Sequence, residues 1–146
     1  ALFRSEHELM LRGIEFEGER IFSRKVRIVP SLTYLSARNE TTGRELSDVP
    51  RWKAAARFAL DFSSEDSLTL SLVGKSSRGT SVGNSRVAGF YRADLTAVHR
   101  FDGEWSITGR IENLLDREYE EVRGYRTPGF SAFVGVEFIS ALPELR

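Results

Sequence analysis

The stretch from residue 51 to residue 73, RWKAAARFALDFSSEDSLTLSLV, alternates apolar and polar side chains over most of its length. Every even-numbered residue from Trp52 to Phe62 is apolar, and the charged residues between them are odd-numbered. Leucine again occupies every other position from Leu68 to Leu72. Successive side chains of a strand point to opposite faces, whereas a helix would scatter these charges around its axis. The stretch therefore predicts two strands, each with one apolar and one polar face, joined by a short link.

The same alternation recurs along most of the chain. Besides residues 51–63 and 67–73, five segments read as strands, which makes seven in all: 14–19, 26–37, 91–101, 105–112 and 130–138. Three links are short, namely 23–25, 64–66 and 102–104, and three are long and rich in Gly, Ser, Pro and charge, namely 38–50, 74–85 and 115–129. Short and long links alternate strictly, so we expect an up-and-down antiparallel sheet with its tight turns at one end and its long loops at the other.

The length of the strands favours a transmembrane barrel. The ten residue steps from Trp52 to Phe62 span roughly 25 Å at a tilt near 40°, which matches the lipid-facing band of an outer-membrane barrel. Aromatic residues cluster near both ends of the strands, as two interfacial girdles require. The expected girdles are Phe22, Phe62, Phe101, Trp105 and Phe138 at the short-turn end, and Tyr34, Trp52, Tyr119 and Tyr125 at the long-loop end.

Two other architectures fit an alternating pattern. A soluble sandwich or lipocalin-like barrel that binds a small apolar ligand also alternates, although its strands are usually shorter. A small closed outer-membrane barrel of about eight strands, with a structural or adhesion role, is the second alternative, and its interior charges would have to pair.

Composition narrows the functional classes. The 146 residues suffice for a single domain, and 21 basic residues balance 21 acidic ones, so no net positive field is present to attract nucleic acid. Cysteine is absent, which removes disulfides, thiolate metal sites and Cys nucleophiles. The first dozen residues carry charges and show no apolar signal region, and no apolar run approaches the roughly 20 residues of a membrane helix.

The segment 113–138 carries a more specific pattern, namely Asn113-Leu114-Leu115-Asp116, Tyr119, Gly124-Tyr125 and Pro128-Gly129, followed by an alternating strand that ends at Phe138. It closely resembles the C-terminal signature of TonB-dependent outer-membrane receptors, in which an Asn-Leu-Phe-Asp motif, a Tyr, a Gly-Tyr and a Pro-Gly-Arg precede the last barrel strand. Leu115 stands in place of the usual Phe, and Phe130 in place of the Arg. Gly13-Ile14-Glu15 and the loop from Thr42 to Pro50 resemble earlier segments of the same family. The matching motif residues are Asn113, Leu114, Asp116, Tyr119, Gly124, Tyr125, Pro128, Gly129 and Phe138.

This resemblance implies an all-β fold, namely a transmembrane segment of about seven antiparallel strands within a 22-strand barrel. Residues 1–146 would form a single unit, the C-terminal third of a receptor barrel, and residues 139–146 a short tail after the terminal aromatic. The implied location is the outer membrane of a Gram-negative bacterium. The implied partners are outer-membrane lipid, the remaining strands, a plug domain and, through the plug, TonB.

The resemblance also implies active uptake of a scarce, bulky solute such as a ferric siderophore or a cobalamin-like molecule. The long loops would touch this solute, and our ligand-binding candidates are Tyr119, Arg123, Tyr125 and Arg126. Polar residues in mid-strand would face the lumen and the plug, and these are Arg57, Asp61, Arg92, Asp94, Arg110 and Glu112.

No catalytic, cofactor or metal site is predicted. His7-Glu8 lacks the second His of a zinc helix, and His99 reads as a surface residue near a strand end. The acidic residues between Asp116 and Glu121 could coordinate a hard cation. Arginines are interleaved with them, so we expect a self-neutralised, solvated loop instead.

Overall fold

The computed structural model describes residues 9–80, 85–101 and 103–139. Every regular element in this part of the chain is a β-strand, and no helix there is long and apolar enough to cross a membrane. The strands, numbered in chain order, are β1 (Leu9–Glu17), β2 (Arg20–Ser23), β3 (Val26–Asn39), β4 (Trp52–Asp61), β5 (Asp66–Lys75), β6 (Arg78–Gly79), β7 (Arg86–Val87), β8 (Phe90–Arg100), β9 (Trp105–Glu112), β10 (Glu120–Val122), β11 (Tyr125–Arg126) and β12 (Ser131–Phe138).

The main sheet is an antiparallel meander in the order β1-β3-β4-β5-β8-β9-β12. β1 and β2 both pair with β3 along the same edge, one after the other. The break between them falls at Gly18, whose amide donates to the carbonyl of Pro30 over 3.1 Å. β1 and β2 are therefore one interrupted strand of the wall, and the expectation of seven strands is confirmed.

Tight turns and long loops lie at opposite ends of the sheet, as the alternating link lengths indicate. The long connections are loop L1 (residues 40–51), loop L2 (76–89) and loop L3 (113–130). L2 carries the small hairpin β6–β7, and L3 carries the hairpin β10–β11. The amide of Asp48 in L1 donates to the carbonyl of Gly79 in L2 over 2.8 Å, so neighbouring loops are joined to each other.

Strand register brings the apolar side chains together on one face. Phe58 of β4 lies opposite Ile28 of β3 and opposite Leu70 of β5. Leu70 in turn lies opposite Leu95, and Leu95 opposite Ile111. Because cross-strand partners project to the same side of a sheet, these residues form one apolar row across five strands. We call this side the apolar face and the opposite side the polar face.

The sheet is a single layer without an enclosed apolar core. Among the described residues the buried hydrophobic side chains are only Ala37, Val87 and Ala93. The accessible surface is 11623 Å², whereas a compact monomer of 16.5 kDa exposes about 7,500 Å². Ile14 and Val134 are 74% and 78% exposed. A soluble sandwich or lipocalin-like barrel would bury such side chains, so that alternative is wrong.

The sheet is also open. In the part of the chain that the structure describes, β1 pairs only with β3, and β12 pairs only with β9. A closed barrel of about eight strands would join these two edges, so that alternative is wrong as well. Each edge presents unpaired backbone N–H and C=O groups, which cannot be left unsatisfied in a bilayer.

Aromatic side chains meet at both ends of the strands. Trp105 and Phe138 pack with ring centroids 4.6 Å apart near the short turns, and Tyr34 and Trp52 pack at 4.6 Å near the long loops. Tyr119 departs from the expected girdle. Its ring stacks at 4.1 Å on Phe90, which lies opposite Lys75 on the polar face. Tyr119 therefore lies on the polar side of the wall.

Candidate functional site

The base of loop L3 is held by Asn113, the first residue of the terminal motif. Its side chain is 2% exposed. Its Nδ2 donates to the carbonyls of Arg117 over 2.9 Å and of Pro128 over 3.3 Å, and its Oδ1 accepts from the amide of Arg117 at 2.9 Å. One amide side chain thus joins the two stems of an eighteen-residue loop. Its φ of 52° lies in the left-handed region, which Asn tolerates better than most residues.

Asp116 and Gly129 complete this closure. Asp116 Oδ1 accepts from the amide of Phe130 at 2.8 Å. A Cβ on Gly129 would come within 2.6 Å of that same oxygen, so any larger residue would require the Asp116 carboxylate to shift. The Asn-Leu-Leu-Asp and Pro-Gly motifs, fifteen positions apart from Asn113 to Pro128, are therefore the two halves of one clasp.

A chain of polar contacts links this clasp to the polar face. Asp94 Oδ1 accepts from the backbone amide of Asn113 at 2.9 Å. Asp94 Oδ2 lies 2.8 Å from Arg92 Nη2, and Arg92 Nη1 donates to the hydroxyl of Tyr119 over 3.2 Å. Both side chains of the ion pair are less than one-third exposed. Tyr119 is therefore oriented from the barrel wall as well as from its own loop.

The outer part of L3 is the hairpin β10–β11. Gly124 has a φ of 82°, which an L side chain rarely adopts, and its amide donates to Glu120 Oε2 over 3.1 Å. Tyr125 follows at the tip and is 74% exposed. Arg126 lies 3.9 Å from Glu118, but both side chains are at least 80% exposed, so solvent screens their attraction.

Loops L2 and L3 are held together by contacts near this hairpin. Arg123 Nη1 donates to the carbonyl of Arg86 over 3.0 Å. Lys75, at the end of β5, forms an ion pair with Glu121, with Nζ 2.8 Å from Oε2. Arg78 Nη2 donates to the carbonyl of Glu121. The two loops consequently form one continuous surface above the polar face.

Three of the four ligand-binding candidates share one open cavity. Tyr119, Arg123 and Arg126 line a depression of about 340 Å³ together with Arg86, Ala88, Glu118 and Glu120. Tyr125 does not line it and is 74% exposed. The cavity mixes cationic, anionic and aromatic groups at the long-loop end.

The six residues expected to face the lumen all project from the polar face. Arg57 lies opposite Ser71, and Ser71 lies opposite Asp94, while Thr96 lies opposite Arg110. Within one strand, residues two apart share a face. Arg92 therefore pairs with Asp94, and Arg110 Nη2 lies 2.6 Å from Glu112 Oε1. Asp61 lies at the short-turn end of the same face, opposite Ser67.

The acidic residues of L3 are directed to different partners. Asp116 binds the Phe130 amide, Glu120 the Gly124 amide, and Glu121 the ammonium of Lys75. No group of three or more potential metal ligands comes together in residues 9–80, 85–101 and 103–139. His7-Glu8 and the tail after Ile139 lie outside the described residues.

Three cations near the loops were not among the candidate residues. Lys53 and Lys75 lie directly opposite each other on the polar face. Arg78, within L2, is buried, and its guanidinium donates to L3. The two lysines share the odd-numbered positions of their strands with the other polar-face residues, so strand period alone could have located them. Nothing in the local sequence indicates the burial of Arg78, because distant segments cover it.

The geometry is that of an open, one-layer segment of barrel wall, with an apolar face, a polar face and long loops at one end. Residues 8–114 match the profile of a family described as TonB dependent receptor-like, beta-barrel. The chain belongs to this TonB-dependent receptor family. The match covers the strands from β1 to β9 and ends at Leu114, so it includes the first two residues of the terminal motif and not the rest.

Solved receptors have the same fold over this segment. The copper transporter OprC superposes with a TM-score of 0.77 at 17% identity, covering 89% of this chain and 23% of that one. A mutant of the ferric enterobactin receptor PfeA from Pseudomonas aeruginosa gives 0.75 at 19% identity, with 88% and 22% covered. The siderophore receptor PiuA from Acinetobacter baumannii gives 0.75 at 20% identity, with 90% and 22% covered.

The TonB-dependent receptor segment thus spans little more than a fifth of the length of these structures. Its fold is all-β and antiparallel, and it forms a fragment of an outer-membrane barrel of the Gram-negative type. Receptors of this family are transporters. The expectations of family, fold class and outer-membrane location are confirmed.

Proposed function

We propose that this chain is the C-terminal part of a 22-strand receptor barrel and that its long loops bind a scarce, bulky solute such as a ferric siderophore or a cobalamin-like molecule. The observation that carries this proposal is the cavity lined by Tyr119, Arg123 and Arg126. It lies on the long-loop end, on the side of the polar face. Similar folds occur in two siderophore receptors and in a copper transporter, so the class of metal chelate is open to test.

The loop clasp supports a binding role for L3. Asn113 and Asp116 hold the two stems, and the wall residue Arg92 orients Tyr119. A ligand that meets a loop already ordered avoids much of the conformational entropy cost of binding. The aromatic ring of Tyr119 is therefore presented to the cavity in a position that the barrel wall fixes.

We assign the polar face to the barrel lumen and to a plug domain supplied by the rest of the receptor. Arg57, Asp61 and the ion pairs Arg92–Asp94 and Arg110–Glu112 would contact plug or water there. TonB would act through that plug. The free edges of β1 and β12 would pair with the remaining barrel strands, which satisfies their backbone groups.

The apolar face would contact outer-membrane lipid. Within the described residues, no second layer packs over its central row, which includes Phe58, Leu70 and Leu95. In water this arrangement would cost free energy roughly in proportion to the exposed apolar area. In a bilayer the same area carries no such cost. We assign the chain a transport role and no catalytic residues.

The test uses the complete receptor, meaning this chain together with the strands and plug proposed above. Cells producing it are assayed for energy-dependent uptake of ferric enterobactin and of cyanocobalamin. We expect Tyr119→Ala combined with Arg126→Ala to lower uptake of the recognised solute at least about tenfold, because a charged contact and an aromatic contact are lost. The control Arg24→Gln lies in a short turn at the opposite end.

Uptake of the active solute should also vanish when TonB is inactivated. If the double variant and the unaltered receptor take up the solute equally, Tyr119 and Arg126 of L3 do not contribute to solute binding. Uptake that persists without TonB would overturn the transport mechanism itself.

A further inference from the structure

A second cavity lies where L1, L2, L3 and the end of the polar face meet, and it shares Arg123 with the cavity that Arg126 lines. It measures about 410 Å³. Its charged lining residues are the four cations Lys53, Lys75, Arg78 and Arg123 and the two carboxylates Asp48 and Glu121. The lining thus carries two more positive than negative charges.

Arg78 is the central group of this cavity. Its side chain is only 6% exposed, although a guanidinium remains charged in proteins. Nη2 donates to the backbone carbonyl of Glu121, but Nη1 is buried and has no hydrogen-bond partner. Burial of a charged group without full compensation is unfavourable. The cavity lining therefore includes a charged guanidinium whose hydrogen-bonding capacity is only partly used.

The other three cations add positive charge to the cavity lining. Lys53 and Lys75 are direct cross-strand partners on the polar face, and like charges in that relation repel. Glu121 compensates Lys75 through the 2.8 Å contact, whereas Arg123 donates to the neutral carbonyl of Arg86. Even with Asp48 and Glu121 counted, the lining keeps an excess of two positive charges, which an anion from outside would balance.

We propose that this cavity is a binding site for an oxyanion, that is, a carboxylate or phosphate group. One oxygen would accept from the Arg78 guanidinium and another would accept from the Lys53 ammonium. Arginine and lysine together suit this chemistry, because a guanidinium presents fixed donors and an ammonium adds a mobile one. The site requires no assumption about which solute the receptor imports. The oxyanion can come from a free ligand or from a carboxylate side chain elsewhere in the receptor.

The first experiment measures binding of a free oxyanion. Inorganic phosphate and citrate are titrated calorimetrically into the complete receptor in detergent. A free-ligand site predicts saturable binding that weakens roughly tenfold or more in Lys53→Gln and in Arg78→Lys, because charged hydrogen bonds are lost or misplaced. Lys53 is exposed, so Lys53→Gln also serves if the buried substitution prevents assembly. Arg24→Gln, at the short-turn end, should bind as the unaltered receptor does.

The second experiment looks for a protein carboxylate. A water-soluble carbodiimide joins amines to carboxylates in direct contact, and peptide mass spectrometry locates the products. The Lys75–Glu121 pair at 2.8 Å supplies an internal positive control. A protein-derived oxyanion predicts an amide between Lys53 and an Asp or Glu outside the 146 residues. If the control product forms but no such amide appears, and neither phosphate nor citrate binds, the proposal is overturned.

Discussion

Replacement of Asn113 by alanine should open the base of loop L3. The change removes three part-buried side-chain hydrogen bonds, which involve the amide of Arg117 and the carbonyls of Arg117 and Pro128. At about 1 kcal/mol each these bonds contribute about 3 kcal/mol. Alanine at a φ of 52° adds roughly 1 kcal/mol of strain. We therefore expect the free energy of local opening to fall by about 3–4 kcal/mol, a factor of roughly 10²–10³.

Amide hydrogen exchange in the complete receptor measures this opening directly. The amides of Thr127 and Phe130 are suitable reporters, because their own acceptors, Tyr119 and Asp116, are unchanged by the substitution. Their exchange should accelerate by the same factor of roughly 10²–10³ when closing is fast. Exchange in the middle of β5 should stay constant, since the barrel wall does not depend on the clasp.

Two comparison variants separate the effect of the lost hydrogen bonds from the effect of backbone strain. Asn113→Gly loses the same hydrogen bonds without the backbone strain, so it should be milder than alanine by about 1 kcal/mol. Asn39→Ala removes a single exposed bond to the amide of Thr42 and should cost less than about 1 kcal/mol. If exchange at Thr127 and Phe130 changes less than threefold in Asn113→Ala, Asn113 is not the residue that closes the loop.

Three further predictions concern the clasp, the hairpin and the wall. Gly129→Ala would place a Cβ within 2.6 Å of Asp116 Oδ1 and should accelerate exchange of the following amide, whereas an unchanged rate would show that the carboxylate can move aside without loss. Gly124→Ala, at a φ of 82°, should destabilise the hairpin β10–β11 by about 1 kcal/mol, measured as faster exchange of its amides, and no change would refute the strain argument. Leu70→Arg should destabilise the folded receptor in lipid vesicles by about 2–4 kcal/mol in a urea titration, while Ser71→Arg should cost close to nothing. Equal costs for the last two variants would contradict the assignment of the two faces.

The alternation of apolar and polar residues in the sequence was sufficient to identify the strands that form the wall of this receptor. Trp52, Phe58 and Leu70 share one face, and Arg57 lies on the other, as their positions along the strands predict. The link lengths also placed the long loops at one end. These features are local, because side-chain alternation follows from strand geometry and each antiparallel turn fixes the direction of the next strand.

Loop contacts were predicted less well. Tyr119 was expected in an aromatic girdle, but it stacks on Phe90 and bonds to Arg92 on the polar side. Its direction depends on a residue 27 positions earlier in the chain. The alternation of side chains ends where a strand ends, so it does not predict how a loop side chain is oriented. That orientation depends on the surfaces that surround the side chain.

The sequence alone determined the seven-strand wall, its two faces, its family and the motif at Asn113, because each follows from short-range pattern. Only the tertiary structure decided that this Asn joins both stems of L3 and that Arg78 is buried with an unpaired Nη1. These facts arise where segments far apart in sequence come together. Whether a donor is satisfied depends on all the atoms around it, and folding, not local sequence, determines which atoms those are.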